Sequence, residues 1–176
     1  MYIWIGCKLP VVFEQEIRQR CMTLNRKIGL DTVAFSLPQH ISLKISFSAE
    51  DPDATLQFLH GFLAGQQAFT VTVQAPEQMG NILWLPITDQ PMLPQLHQQL
   101  DDLLTTHFGI PQHPFDKEFM FHSTLFIDPV SEKIAQMAAF LQDVGFPRKL
   151  VVDTFLLGIS ESGAAGTYRI VQEIKI

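Results

Sequence analysis

The chain has 176 residues, of which 47% are hydrophobic and 17% charged, and its formal net charge is −6. That length suffices for a substantial core in one domain or two small lobes, and the composition excludes a disordered tail. The acidic balance argues against a long nucleic-acid surface built from many phosphate contacts, but leaves room for a small anionic ligand in a local pocket.

The first predicted strand, roughly residues 2–9, alternates Ile3, Ile5, Cys7 and Leu9 on one side with Tyr2, Trp4, Gly6 and Lys8 on the other. No basic leader precedes it, and Pro10 cuts the apolar stretch well short of a membrane span. Neither a signal peptide nor an anchor is therefore expected, and the location expected is cytoplasmic. Pro10 then opens a helix with Phe13, Ile17, Cys21, Leu24 and Ile28 at steps of three or four, closed by Gly29. Cys7 and Cys21 fall on apolar faces, so both are expected to be buried, reduced thiols.

A second strand is predicted over 39–47 with Ile41, Leu43, Ile45 and Phe47 inward, then a helix from Pro52 using Leu56, Leu59, Phe62 and Leu63. Phe69–Val73 alternates as a strand, and the segment 74–80 reads as a loop. The element order then repeats. A strand covers 81–87, a helix is marked by Leu93, Leu96, Leu100, Leu103 and Leu104, and a strand runs over about 119–127. Pro129 starts another helix with Val130, Ile134, Met137, Leu141 and Val144 inward, and strands near 149–159 and 167–176 finish the chain.

Within the two corresponding strands lie His40-Ile41-Ser42-Leu43 and His122-Ser123-Thr124-Leu125. Strand alternation puts His40 beside Ser42, and His122 beside Thr124. Trp4 precedes His40 by 36 residues and Trp84 precedes His122 by 38, and these are the chain's two tryptophans. Internal duplication is the economical explanation, with lobes of about 1–78 and 79–176 that could exchange strands. The expected architecture is α+β, two pseudo-symmetric lobes, each a mostly antiparallel sheet backed by helices, with a groove between. Paired histidines with paired hydroxyls are what a water needs to attack a phosphodiester without a metal: one base, one acid and two donors.

With these residues in view, the chain resembles the 2H phosphoesterase superfamily, and within it the bacterial 2′-5′ RNA ligase and RNA 2′,3′-cyclic phosphodiesterase branch. The resemblance rests on the opening strand and Pro10, on the two motifs, on Ile82-Leu83-Trp84-Leu85, and on the phenylalanines before the second motif. It implies a bilobal fold and cyclic phosphodiesterase activity. His40 would be the acid and His122 the base, with Ser42 and Thr124 on the phosphate. Reversed, the same groups would join a cyclic phosphate end to a 5′-hydroxyl. Many relatives carry proline before the second histidine and arginine five residues after it; here those places hold Phe121 and Ile127. That departure bears on the ligase activity rather than on the histidine pair.

Lys44 continues the face of His40 and Ser42, so it either meets an anion at the groove rim or is simply solvated. Tyr2 and Trp4 have the parity opposite to the core, and either stack a base or line the lobes. His60 and His97 read as partly buried surface residues on helices, and His113 as a loop residue within reach of the groove. No histidine has the spacing or cysteine partners of a zinc site, and no phosphate-binding Gly-rich loop is present, so no metal or organic cofactor is expected. The expected partner is a small nucleotide or an RNA end bearing a cyclic phosphate, bound by a monomer. The alternative is a non-catalytic module that holds the same ligand in the same groove.

Overall fold

The computed structural model describes residues 1–88, 91–142 and 145–176. Its described elements follow the duplicated order. They are β1 (Tyr2–Lys8), α1 (Val11–Ile28), β2 (His40–Ser42), β3 (Phe47–Ser48), α2 (Pro52–Ala64) and β4 (Phe69–Val73) in the first part. Then come β5 (Glu77–Met79), β6 (Ile82–Thr88), α3 (Met92–Phe108), β7 (His122–Ile127), α4 (Ser131–Leu141), β8 (Arg148–Val152), β9 (Thr154–Ser160) and β10 (Arg169–Lys175). They build two five-stranded sheets, ordered β10-β9-β1-β2 with β3 also on β1, and β5-β6-β4-β8 with β7 also on β6. The strand pairs of both sheets are antiparallel. Among the described residues no helix is long and apolar enough to cross a membrane.

The apolar parity of β1 is realised in full, since Ile3, Ile5, Cys7 and Leu9 are completely buried. α1 buries Phe13, Ile17 and Cys21, and Gly29 ends it in the left-handed conformation at φ 68° with its N–H on the Asn25 carbonyl. Both cysteines are free and buried, and burial drives both thiols upward, Cys21 to about 12.

The two sheets exchange strands relative to the halves of the sequence. β4 belongs to the second sheet, while in the first β9 pairs with β1 and β10 with β9. The stretch 149–159, read as one strand, is two. Arg148–Val152 pairs with β4, the chain steps across at Asp153, and Thr154–Ser160 pairs with β1. The helices cross as well. α1 meets α4, and its Glu16 pairs with Arg148 of β8 at 2.7 Å. α3 sits with α2 through Phe58 against His107 and Phe108.

Three smaller expectations are corrected. Part of the loop 74–80 forms β5, folded back on β6 through Gly80 at φ 58°. The strand predicted over 39–47 is interrupted by a bend after Ser42, leaving β2 and β3 as separate pieces on β1. α4 starts at Ser131, so Val130 stays exposed; Ile134, Met137 and Leu141 are buried, and Val144 lies outside the described residues.

Candidate functional site

β2 of the first sheet and β7 of the second lie against each other. The contact is held by a buried hydrogen bond in which Ser123 Oγ donates to Gln39 Oε1 at 2.9 Å. Gln39 immediately precedes His40 and Ser123 immediately follows His122, so one bond couples the two motif strands. The motifs named no role for either residue.

Each imidazole is oriented in the same way. His40 Nδ1 is 2.7 Å from the Pro38 carbonyl, and His122 Nδ1 is 2.6 Å from the Met120 carbonyl. A carbonyl oxygen only accepts, so Nδ1 carries the hydrogen in both rings. Nε2 is left as the atom that takes or gives a proton. Each ring also rests on a tryptophan, Trp4 for His40 with centroids 4.4 Å apart and Trp84 for His122 at 4.5 Å.

The two tryptophans are not register equivalents, although their spacing suggests it. In the first sheet His40 pairs with Lys8 and Ser42 with Gly6. In the second, beyond a bulge at Leu83/Trp84, His122 pairs with Pro86 and Thr124 with Trp84. Trp84 thus occupies the place of Gly6, and Trp4 stands one same-face step farther out. Trp4 reaches its histidine by lying along the strand over Gly6, where an added Cβ would sit 2.5 Å from the indole. From there its Nε1 donates to Ser42 Oγ at 3.0 Å. Trp84 Nε1 is buried and finds no hydrogen-bond partner among the described residues.

His40 and Thr124, one from each motif, share a cavity of about 190 Å³ with Trp4, Tyr168 and Ile127. Ile127 stands where many relatives carry arginine, so the wall there is apolar. Tyr168, at the entrance to β10, carried no motif signal; only folding β10 back beside β9 brings it here. His122 faces a separate cleft with Trp84, between β6 and the segment 114–120.

Two expected site residues stand elsewhere. Lys44 is not at the groove rim; it is 2% exposed and paired with Asp101 of α3 and with Asp116, the latter at 2.6 Å. The bend after Ser42 ends the alternation on which the expectation rested and turns the ammonium into the interior. Burial alone would raise the Asp116 carboxyl, but Lys44 and the N–H groups of Ile45 and His113 outweigh it and hold the group below its ordinary value. His97 joins this cluster, its ring nitrogens 2.7 Å from the Leu43 carbonyl and 2.9 Å from that of Asp116, and is buried rather than a surface residue. Tyr2 is also away from the pair; its ring lies against the Gly163 turn. His113 caps the short turn Pro114–Asp116.

Burial draws His40 down to about 4; the Pro38 carbonyl opposes this, and the charge of His122 lowers it further. His122 is lowered by its own burial, opposed by the Met120 carbonyl. Both imidazoles are therefore held toward the neutral form.

Two antiparallel sheets meet along β2 and β7, and each contributes a histidine and a hydroxyl from its motif strand. Residues 15–164 match the model of the 2′-5′ RNA ligase superfamily, and the chain belongs to that family of phosphoesterase-type enzymes. The same fold occurs in TT0787 of Thermus thermophilus, 15% identical with TM-score 0.69, over 99% of this chain and 97% of that one. It occurs in Escherichia coli LigT complexed with 3′-AMP, 21% identical with TM-score 0.64, over 99% and 97%. Kluyveromyces marxianus Usb1 shares it at 7% identity and TM-score 0.57, over 99% and 98%. No curated protein matches the chain.

Proposed function

We propose that this protein is a metal-independent phosphodiesterase that opens a 2′,3′-cyclic phosphate on a small nucleotide or RNA end by two-histidine acid–base catalysis. The observation that carries the reading is the shared imidazole geometry, with Nδ1–H on the carbonyl two residues earlier in both motifs and Nε2 left for chemistry. Water attacks phosphorus and loses a proton to Nε2 of His122; the P–O bond to one ribose oxygen breaks, and Nε2 of His40 protonates that oxygen. This order of roles follows the family resemblance.

Ser42 Oγ accepts from the Trp4 indole, so its own hydrogen is free to donate to a non-bridging oxygen. Thr124, in the His40 cavity, is the second donor. A bound phosphate favours the imidazolium and raises His40 from its low free value, so the ligand prepares its own acid. LigT has been crystallised with 3′-AMP, ATP and NADP+, which supports a small nucleotide as the ligand here. Reversed, the same groups join a cyclic end to a 5′-hydroxyl.

The test is turnover of the four nucleoside 2′,3′-cyclic phosphates, with chelator present, by wild type, His40→Ala and His122→Ala. Each variant should lose about 10²–10⁴-fold while remaining folded. Undiminished turnover in either variant would sink the mechanism. Tight binding without turnover by wild type would make the protein a nucleotide-holding module.

A further inference from the structure

Resting on that reading, we propose that His97 is a positioning residue for His122. It is a buried imidazolium, with hydrogen on both ring nitrogens, that holds the segment 116–121 and through it the Met120 carbonyl on which His122 is oriented.

The hydrogens follow from the ring's partners. Nδ1 lies 2.7 Å from the Leu43 carbonyl and Nε2 2.9 Å from the Asp116 carbonyl. Carbonyl oxygens only accept, so both nitrogens donate, and an imidazole that donates twice carries a positive charge. The charges around the ring ask for the same state. Asp101 accepts from Lys44 at one oxygen and from Gln112 at the other. Asp116 accepts from the Ile45 N–H at one oxygen, and from Lys44 and the His113 N–H at the other. Every oxygen of the two groups accepts, so both are carboxylates, and they share a single lysine. All four side chains are buried. Two buried carboxylates and one ammonium leave a negative charge without compensation. The His97 imidazolium, its Nε2 3.5 Å from Asp101 Oδ2, supplies the missing cation. The ionisable groups around the ring are thus Asp101 from its own helix, Asp116 from the segment before β7, and Lys44 from the bend after β2.

From His97 the reach to His122 is short. Between Pro114 and Phe121 the residues that are not exposed are Asp116, Phe119 and Phe121, and each of them meets His97. The Phe119 ring stacks on it with centroids 4.8 Å apart and planes at 24°, a face offered to a cation, and Phe121 stands edge-on at 6.0 Å. Met120 lies between the two phenylalanines with its side chain in water, and its carbonyl takes the Nδ1 hydrogen of His122. No helix or strand covers 117–121. The course of this stretch therefore rests on those three anchors and on the Ile87 N–H that meets the Phe121 carbonyl.

Taking one hydrogen from His97 would point a bare nitrogen at a carbonyl oxygen and restore the unbalanced charge. Phe119 and Phe121 would lose their common anchor, and the Met120 carbonyl its fixed place. His122 would then carry its hydrogen on either nitrogen, and a ring carrying it on Nε2 offers the attacking water no base. His40 is outside this linkage, because it is oriented by the Pro38 carbonyl.

Nitrogen NMR on histidine-labelled protein reads which ring nitrogens carry hydrogen. In the ligand-free wild type at about pH 7.5, where a histidine in water has mostly shed its second hydrogen, His97 should show hydrogen on both nitrogens and His122 on Nδ1 alone. As the pH is raised further, loss of a hydrogen from His97 should coincide with a shift of His122 to a mixture of tautomers, while His40 keeps its own. His97→Gln should produce the same mixture without the rise in pH. It should also lower kcat for a 2′,3′-cyclic nucleotide by about 10²-fold, as a small misplacement of a reacting group does, with KM little changed. A bare nitrogen on His97 in the wild type at the starting pH overturns the assignment. A His122 tautomer that stays fixed as His97 loses its hydrogen overturns the positioning role, and so does undiminished kcat in folded His97→Gln. If that variant does not fold, the wild-type titration decides. The nitrogen signals need no substrate, so a wild type that turns over no cyclic nucleotide sinks the phosphodiesterase reading and leaves the link from His97 to His122 to be decided by them.

Discussion

The two motif regions arrive at one imidazole geometry by different supports. Around His40 the tryptophan lies flat over Gly6 and gives its N–H to Ser42. Around His122 the tryptophan sits at the register position of Gly6, and its N–H has no partner among the described residues. Two residues past each hydroxyl, the first region buries Lys44 in an ion cluster, while the second buries the apolar Phe126. What the duplicate copies share is the hydrogen bond from Nδ1 to the carbonyl two residues back. The shared feature is the orientation of the ring, while the packing behind it differs between the two copies.

The largest effect that sharpens this contrast is in stability. Lys44→Met leaves two buried carboxylates without their cation and should cost about 3–5 kcal/mol. Phe126→Met, an apolar swap at the corresponding place, should cost about 1.5 kcal/mol or less. Urea denaturation measures both, and equal losses would erase the distinction between the two regions.

The hydroxyls come next. Ser42→Ala and Thr124→Ala should each reduce transition-state stabilisation by about 1.5–3 kcal/mol, read from kcat/KM. Ser42→Ala should lower thermal stability as well, because it strands the Trp4 indole N–H, whereas Thr124→Ala strands no tryptophan. A smaller loss is expected for Gly6→Ala. The added methyl meets the Trp4 ring, and overpacking of this kind costs about 1–3 kcal/mol. Pro86→Ala in the other sheet should have no such effect on its tryptophan, and Trp fluorescence distinguishes them.

The remaining effect is pH dependence. His40 is at about 4 in the folded protein and an unfolded histidine at ~6.5, so between these values the unfolded chain binds more protons. Stability from this group is therefore full above ~6.5 and declines as pH falls toward 4. His40→Asn should flatten that slope in denaturation curves across the window. An unchanged slope would show that His40 titrates normally.

The strand motifs of the candidate site were legible along the chain. The motif pairs put each histidine and hydroxyl on one strand face, and β1, α1 and α3 showed their buried sides through local periodicity. Parity, however, holds only while a strand continues. The bend after Ser42 ended it before Lys44, and the step at Asp153 divided one apolar run between two sheets. Val130 misled for a related reason, since the helix begins one residue beyond it.

By itself the sequence determined the duplicated element order, the core faces, and the strands that carry the candidate histidines and hydroxyls. These are short-range properties, set by side-chain period and by local caps such as Gly29. Only the tertiary structure decided that Lys44 meets carboxylates 57 and 72 residues away, that Gln39 bonds Ser123, and that Tyr168 reaches the His40 cavity. Those contacts depend on strand exchange and on the meeting of β2 with β7. The physical reason is that periodicity encodes which side of an element faces inward, but not which distant group will be there to receive it.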